Sequence, residues 1–120
     1  MRNTAYSILL AALVVSSFAS GATLQVGSDL QSAIDAASSG DTLVVAAGIY
    51  SKIVVDKSLN LIGRGAVIRA GGRDACVSIN ADAVNISGFL VENGFYGIKL
   101  EQVRGCKVSN NTVIHCAQPG

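Results

Sequence analysis

The chain has 120 residues and a formal net charge of +1, which suits one domain and argues against a charged nucleic-acid-binding face. Half of the residues are hydrophobic, but only 5% are aromatic, and there are 13 glycines and one proline. Val, Ile, Leu and Ala with frequent Gly are typical of short strands joined by tight turns. The three cysteines follow no zinc-binding spacing, so we expect small core residues with at most one internal disulfide.

Residues 1–22 have the features of an export signal. Arg2 gives a positive start, residues 8–15 form an uninterrupted apolar run, and Ala19 or Ala22 completes a small-x-small cleavage site. The apolar run is too short to cross a bilayer. We therefore expect a secreted, periplasmic or cell-surface protein that meets the membrane only during export. The alternative is an uncleaved membrane anchor.

Residues 23–42 are predicted to be an N-terminal segment that carries the one helix of the chain, over residues 28–39. Ser28 or Asp29 can cap its start, and Gln31 stands where a capping box places it. Its narrow apolar face predicts a lid over the end of another structure rather than a bundle helix. That face carries Leu30, Ile34 and Ala37.

Residues 43–120 consist of short apolar pieces separated by Gly, Asn, Asp, Ser and Lys. Strands this short suit a chain that turns every few residues. We predict ten of them, each of three or four residues. They are 43–45, 53–55, 59–62, 66–68, 76–79, 84–86, 89–91, 98–100, 106–108 and 112–114.

One phrase occurs twice, in residues 84–91 and 106–113, at a spacing of 22 residues. Residues 59–63 resemble a third copy, 25 residues before the first of these. A repeat of this length must stack on copies of itself to close a core. Between copies, extra residues are expected in loops such as 71–74. Residues 84, 86, 89 and 91 are predicted to point inward.

Each copy carries a residue that suits a left-handed turn: Gly63, Gly88 and Asn110. Gly and Asn both tolerate positive φ, so we predict structural turns at these three positions. Asn111 is expected to point inward and to bond backbone at its corner, with a solvated turn residue as the alternative. Two glycosylation sequons begin at Asn85 and Asn110, but pairing between coils is expected to limit access to them, so no glycosylation is predicted.

The order of the cap helix, GDTLVVAAGIY, VDKSLNLIG, NISGF and SNNT resembles the right-handed parallel β-helix proteins of the NosD-like and pectin-lyase-like group. The resemblance runs over residues 25–116. It implies an all-β, right-handed, single-stranded parallel β-helix of about four coils with an N-terminal capping helix. Members of this group include polysaccharide lyases and hydrolases, surface proteins and a copper-maturation accessory protein. Because members are usually longer, we expect a fragment whose open last coil favours self-association.

Catalytic residues are unknown from the sequence. The mature chain has eight carboxylates but no spaced acidic cluster of the kind a glycoside hydrolase needs. The acidic calcium-binding residues of a lyase have no match, so no catalytic residue is carried over. For copper, His115 and Cys116 are adjacent and face opposite ways in a strand, so no metal or cofactor is predicted.

Carbohydrate binding is the remaining hypothesis. Tyr50, Phe95 and Tyr96 are the candidate contact residues, although aromatic rings more often pack inward. We predict an exported scaffold or carbohydrate-associated module, with polysaccharide or cell-surface components as partners. The alternatives are a polysaccharide lyase or glycoside hydrolase fragment and a copper-maturation factor.

Overall fold

The parallel strands of this protein wind into a β-solenoid of about four turns with one short helix. The computed structural model describes residues 21–116. The predicted export signal, residues 1–22, therefore lies almost wholly outside the described residues. Within residues 21–116, no helix has the length and apolar character needed to cross a membrane.

The elements follow one another with few residues between them. They are β1 (Thr23–Val26), α1 (Leu30–Ala36), β2 (Thr42–Val45), β3 (Gly48–Ser51), β4 (Ile53–Val55), β5 (Asn60–Gly63), β6 (Ala66–Arg69), β7 (Val77–Ile79), β8 (Asn85–Ser87), β9 (Leu90–Glu92), β10 (Ile98–Leu100), β11 (Lys107–Ser109) and β12 (Thr112–Ile114).

Three parallel sheets form the sides of the solenoid. The first has the strand order β1-β2-β5-β8-β11, the second β12-β9-β6-β3 and the third β10-β7-β4. Each complete coil gives one strand to each sheet, so the backbone hydrogen bonds of the sheets run between coils. The predicted fold class is confirmed.

The register of the strands confirms the repeat. Ile86 lies opposite Val108 and Ser87 opposite Ser109, which is the predicted spacing of 22 residues. Residues Asn60 and Asn85 are also partners, at the predicted spacing of 25. Each repeated phrase is therefore one coil.

Differences in coil length are absorbed at the corner between β6 and β7. Ser51 pairs with Arg69, whereas Ile53, two residues further on, pairs with Val77. The second coil therefore holds additional residues between Arg69 and Val77, in the loop where extra residues were expected. The strands on either side keep their pairing, as expected of a solenoid.

Inward side chains from successive coils stack on one another in the core. Leu43, Leu61 and Ile86 share one column and are at most 1% exposed. Val108 continues that column but is 43% exposed, because no strand of the described residues covers β11. Burial of each such side chain stabilises the fold by about 1.5–3 kcal/mol relative to leaving it in water.

The helix is shorter than predicted and lies at one end of the solenoid. It begins after Asp29, whose carboxylate accepts a hydrogen bond from the Ser32 amide at 3.2 Å. The predicted apolar face is buried against the core. Gln31 does not complete a capping box; its side chain bonds the backbone of Val54 in β4. Residues 37–39 are extended or turned instead of helical.

Two of the three predicted turn residues adopt left-handed backbone conformations. Gly88 has φ +82° and Asn110 has φ +54°. Gly63 does not; it ends β5, and Gly65, with φ +84°, supplies the left-handed residue of that coil. Glycine at position 63 serves a different need, because a Cβ there would lie 2.8 Å from the carbonyl oxygen of Gly88.

Candidate carbohydrate-contact face

An open groove of about 300 Å³ runs along the outer face of the third sheet. Its floor is formed by Val54, Ser78 and Lys99, which are partners in the register of β4, β7 and β10. Side chains that point away from the core of a parallel sheet alternate with those that point inward. The groove therefore exists because each of the three strands places its central residue outward.

Of the three predicted aromatic contacts, Tyr96 lines this groove, and Phe95 packs against Tyr96 outside the groove lining. The rings of Phe95 and Tyr96 meet edge to face, with centroids 5.0 Å apart and planes at 78°. Tyr96 lines the groove, and Lys99 Nζ lies 5.2 Å from the centroid of its ring. Phe95 is 37% exposed. The pair thus offers partly exposed aromatic surface beside a cation.

Tyr50 does not belong to this face. Its side chain is 6% exposed, and its hydroxyl donates a hydrogen bond of 2.8 Å to the carbonyl of Ala46. It stands inward at the centre of β3, where the period of two places it in the core. The expectation that Tyr50 presents a ring to carbohydrate is therefore wrong.

Charged side chains gather at the mouth of the same groove. Lys52 forms an ion pair with Asp74, and Arg73 and Lys99 lie nearby. A hydrogen bond from Lys52, and its charge, hold the pKa of the Asp74 carboxyl below its usual range. Three cations face the Asp74 carboxylate and Glu101, whose Oε2 lies 3.5 Å from Lys99 Nζ, so a small excess of positive charge remains at the groove. None of these four residues was singled out as a carbohydrate contact from the sequence, because they come from three coils and only the strand register brings them together.

The other carboxylates described are largely engaged in structural contacts. Asp41, 6% exposed, accepts hydrogen bonds from the amides of Ala22 and Ser38. Asp82 accepts one from the Arg104 amide at 2.8 Å, and Glu92 forms an ion pair with a neighbouring arginine. These contacts hold corners and coils in place.

The two residues considered for copper lie at the end of the described chain. His115 is exposed and has φ +52°, and the Cys116 thiol donates to the carbonyl of Ile114 at 3.5 Å. Among residues 21–116, no three His, Cys, Asp or Glu side chains cluster as metal ligands would.

A polar ladder on the first sheet was missed from the sequence. Asn60 donates to the hydroxyl of Thr42 at 3.3 Å, and Asn85 donates to the side-chain oxygen of Asn60 at 2.7 Å. These residues are register partners on the outer face, beside a second open groove of about 410 Å³. The sequence carries a signal for this ladder, since each of the three polar residues immediately precedes an inward aliphatic residue of its coil and must therefore point outward.

The two asparagines of the corner between β11 and β12 behave differently. The Asn111 side chain accepts from the Phe89 amide at 3.0 Å and donates to the Ile86 carbonyl at 3.0 Å. It thereby ties its coil to the one below. Asn110, beside it, is exposed on the left-handed corner.

Comparison with known proteins gives one informative match. The chain is 39% identical over 89 residues to a protein named cell surface glycoprotein from Methanothermus fervidus. The match covers 70% of this chain but only 15% of that protein. No protein-family model and no solved structure matches the chain. The fold is thus a parallel β-solenoid, and the chain is similar to a small part of a cell surface glycoprotein.

Proposed function

We propose that the protein is a surface-exposed β-helix module that binds carbohydrate in the groove beside Tyr96. The observation that carries the proposal is the partly exposed Phe95–Tyr96 pair set next to charged and hydroxyl side chains on one open face. The name of its relative supports a cell-surface location. The predicted export signal is consistent with that location.

The chemistry of the groove favours an acidic sugar polymer. Aromatic edges and faces contact the C–H groups of a sugar ring, while Lys and Arg side chains bind carboxylate or sulfate groups. Arg73, beside the Lys52–Asp74 pair, can do so, as can Lys99, whose Nζ also lies 3.5 Å from Glu101 Oε2. Since exposed charges are screened by salt, binding should weaken as ionic strength rises.

The test is binding to a glycan array that includes neutral glucans, chitin oligosaccharides and uronate polymers. We expect binding to uronate polymers, weakened in the variant Tyr96→Ser and unaffected by Ile49→Ala. Ile49 is the matched control because it is exposed on β3, outside the groove. No binding to any glycan, or equal loss in both variants, would contradict carbohydrate recognition at this groove.

We also propose that the chain belongs to the NosD-like and pectin-lyase-like group. The parallel solenoid with a helix at one end supports this membership, as does the order of its motifs. Two alternative functions come with it. Loss of polygalacturonate in the presence of calcium would favour a lyase or hydrolase, and saturable Cu(I) binding would favour a copper-maturation factor.

The corner between β11 and β12 offers a site for modification. Asn110 begins the sequon Asn110-Asn111-Thr112 and is exposed on a left-handed turn, whereas the amide of Asn85 in the other sequon is bonded to Asn60. We propose that an N-linked glycan is attached at Asn110, as the word glycoprotein in the relative's name supports. Expression in a glycosylating host should reduce the electrophoretic mobility of the protein. The variant Asn110→Gln should lose this shift, and Asn85→Gln should still show it. A shift lost only with Asn85→Gln would contradict the assignment.

A further inference from the structure

Two of the three cysteines converge on one corner of the solenoid. Cys76 is fully buried just before β7, and its thiol donates to the carbonyl of Glu92 at 3.1 Å. Cys116 is half-buried after β12. Cys106 lies just before β11, where its thiol donates to the carbonyl of Ala81 at 3.3 Å. The Cys76 thiol thus lies at the end of β9 and Cys116 at the end of β12, the strand paired with β9, whereas Cys106 lies at a different corner.

The register places Cys116 one coil above Gly94. Ile114 in β12 lies opposite Glu92 in β9. The corner residues that follow them, Asn93 and His115, have matching left-handed backbones with φ +61° and +52°. Because the two corners turn alike, position 116 corresponds to position 94 of the coil below. Neighbouring coils are separated by the strand spacing of about 4.8 Å.

The Cys76 thiol occupies the space that a side chain at position 94 would fill. A Cβ built on Gly94 would lie 2.7 Å from the sulfur of Cys76. Because Gly94 has no side chain, nothing from that residue separates this sulfur from the residue stacked above. Burial is the main cause of the raised pKa of the Cys76 thiol, and Cys116 is near enough to make a smaller contribution.

We propose that Cys76 and Cys116 form a disulfide that fastens the last described coil to the coils beneath it, and that Cys106 stays reduced. A small-molecule disulfide is the oxidant. The Cys116 thiolate attacks it and expels one thiolate, giving a mixed disulfide. The Cys76 thiolate then displaces the second thiolate, so two protein thiols lose two protons and two electrons and two small thiols are released. The proposed surface location would place the chain where such oxidants act, but the pairing geometry does not depend on it.

Trypsin separates the three cysteines, which allows a direct test on the unmodified chain. Cleavage after Arg73, Lys99, Arg104 and Lys107 leaves Cys76, Cys106 and Cys116 on three different peptides. After folding with oxidised glutathione, we expect residues 74–99 linked to residues 108–120 by mass spectrometry. Thiol titration should fall from three groups to one.

Three variants extend the test. Cys106→Ser should lose all free thiols on oxidation and show the same rise in urea midpoint as the unmodified chain. Cys76→Ser and Cys116→Ser should show no such rise. Because substitution of the buried Cys76 can itself impair folding, the peptide map of the unmodified chain decides the matter. Three retained thiols in the folded chain, a stable glutathione adduct, or a link that involves Cys106 would each overturn the proposal.

Discussion

The side chain of Gln31 pairs with both backbone groups of Val54, as a neighbouring strand would. The Val54 amide donates to Gln31 Oε1 at 2.7 Å, and Gln31 Nε2 donates to the Val54 carbonyl at 3.0 Å. Val54 stands at the centre of β4, one of the two edge strands of the third sheet. An open strand edge is a template for pairing with other chains. A helix residue therefore closes this edge.

Replacing Gln31 with Ala should loosen the cap helix. The two hydrogen bonds with Val54, of about 1 kcal/mol each, are lost together with an exposed one from Gln31 Nε2 to Asp35, so we expect a decrease of about 1–2 kcal/mol in the free energy of unfolding. Urea unfolding measures it. Gln25→Ala, on the exposed face of β1, is the control and should change little. An equal effect of both variants would mean that the pairing with Val54 contributes nothing.

Asn111→Ala should destabilise the fold more strongly. It leaves the Phe89 amide and the Ile86 carbonyl without their side-chain partner, and each unsatisfied buried group costs about 1–3 kcal/mol. We expect a loss of about 2–4 kcal/mol by chemical denaturation. Asn80→Ala provides the comparison, because Asn80 is exposed. A loss below 1 kcal/mol would show that water replaces the amide at this corner.

Gly88→Ala should be among the most damaging single changes. A Cβ there would lie 2.3 Å from the Gly63 carbonyl oxygen, and the residue also has φ +82°. Gly72→Ala separates the two causes, since Gly72 has φ +90° but no atom within 4 Å of a built Cβ. We expect a cost of about 1 kcal/mol at Gly72 and several at Gly88, from thermal unfolding. Equal costs would mean that the close approach of the two coils relaxes freely.

The reduced protein should lose stability in alkaline solution because of Cys76. Burial, with a smaller effect of Cys116, raises the pKa of its thiol to about 11 from 9.0. Between these pH values the unfolded chain releases a proton that the folded chain keeps, so the free energy of unfolding falls as pH rises, by at most about 2–3 kcal/mol. Unfolding with a reductant at pH 8 and pH 11 measures the loss. Cys76→Ser should show a smaller dependence, and an unchanged one would contradict this origin.

Self-association is expected through the last described coil. Leu100, Val108 and Val113 belong to β10, β11 and β12, and each is at least 40% exposed. Each of these strands is the last of its sheet among the described residues. We propose that a second copy covers this surface, so light scattering should show a concentration-dependent increase in mass. Val108→Lys with Val113→Lys should suppress it, whereas Ile49→Lys should not. A monomer at all concentrations would contradict it.

The sequence predicted the stacked coils because their cause is local and repeated. All ten predicted strands overlap observed ones, and the inward positions of the first phrase are buried. Strands β1 and β3 were missed. In β3, Gly48, Ile49 and Tyr50 show no alternating apolar pattern, since Ile49 points to solvent. Only pairing with β6 identifies this strand.

The candidate groove was much less predictable. Phe95 and Tyr96 stand out as rare aromatic residues, but Tyr50 has the same composition signal and is buried. Lys52, Asp74 and Lys99 come from three coils and meet only through the register. Likewise, Gly63 and Gly88 look alike in the repeat. Gly63 is required because a side chain there would clash with the next coil, whereas Gly88 is required both by such a clash and by its left-handed backbone.

The extra residues between β6 and β7 have a consequence for how the module can change. They contain Arg73 and Asp74 at the groove, but none of the strand residues that set the register. Ala70, Ala75 and Cys76 of this segment are buried, but substitutions, insertions or grafted peptides at residues 71–74 can change the proposed binding surface without changing the strand register. Within this loop, the residues at the groove are thus separate from the strand residues that set the register, which makes residues 71–74 the natural place to diversify a library of binders.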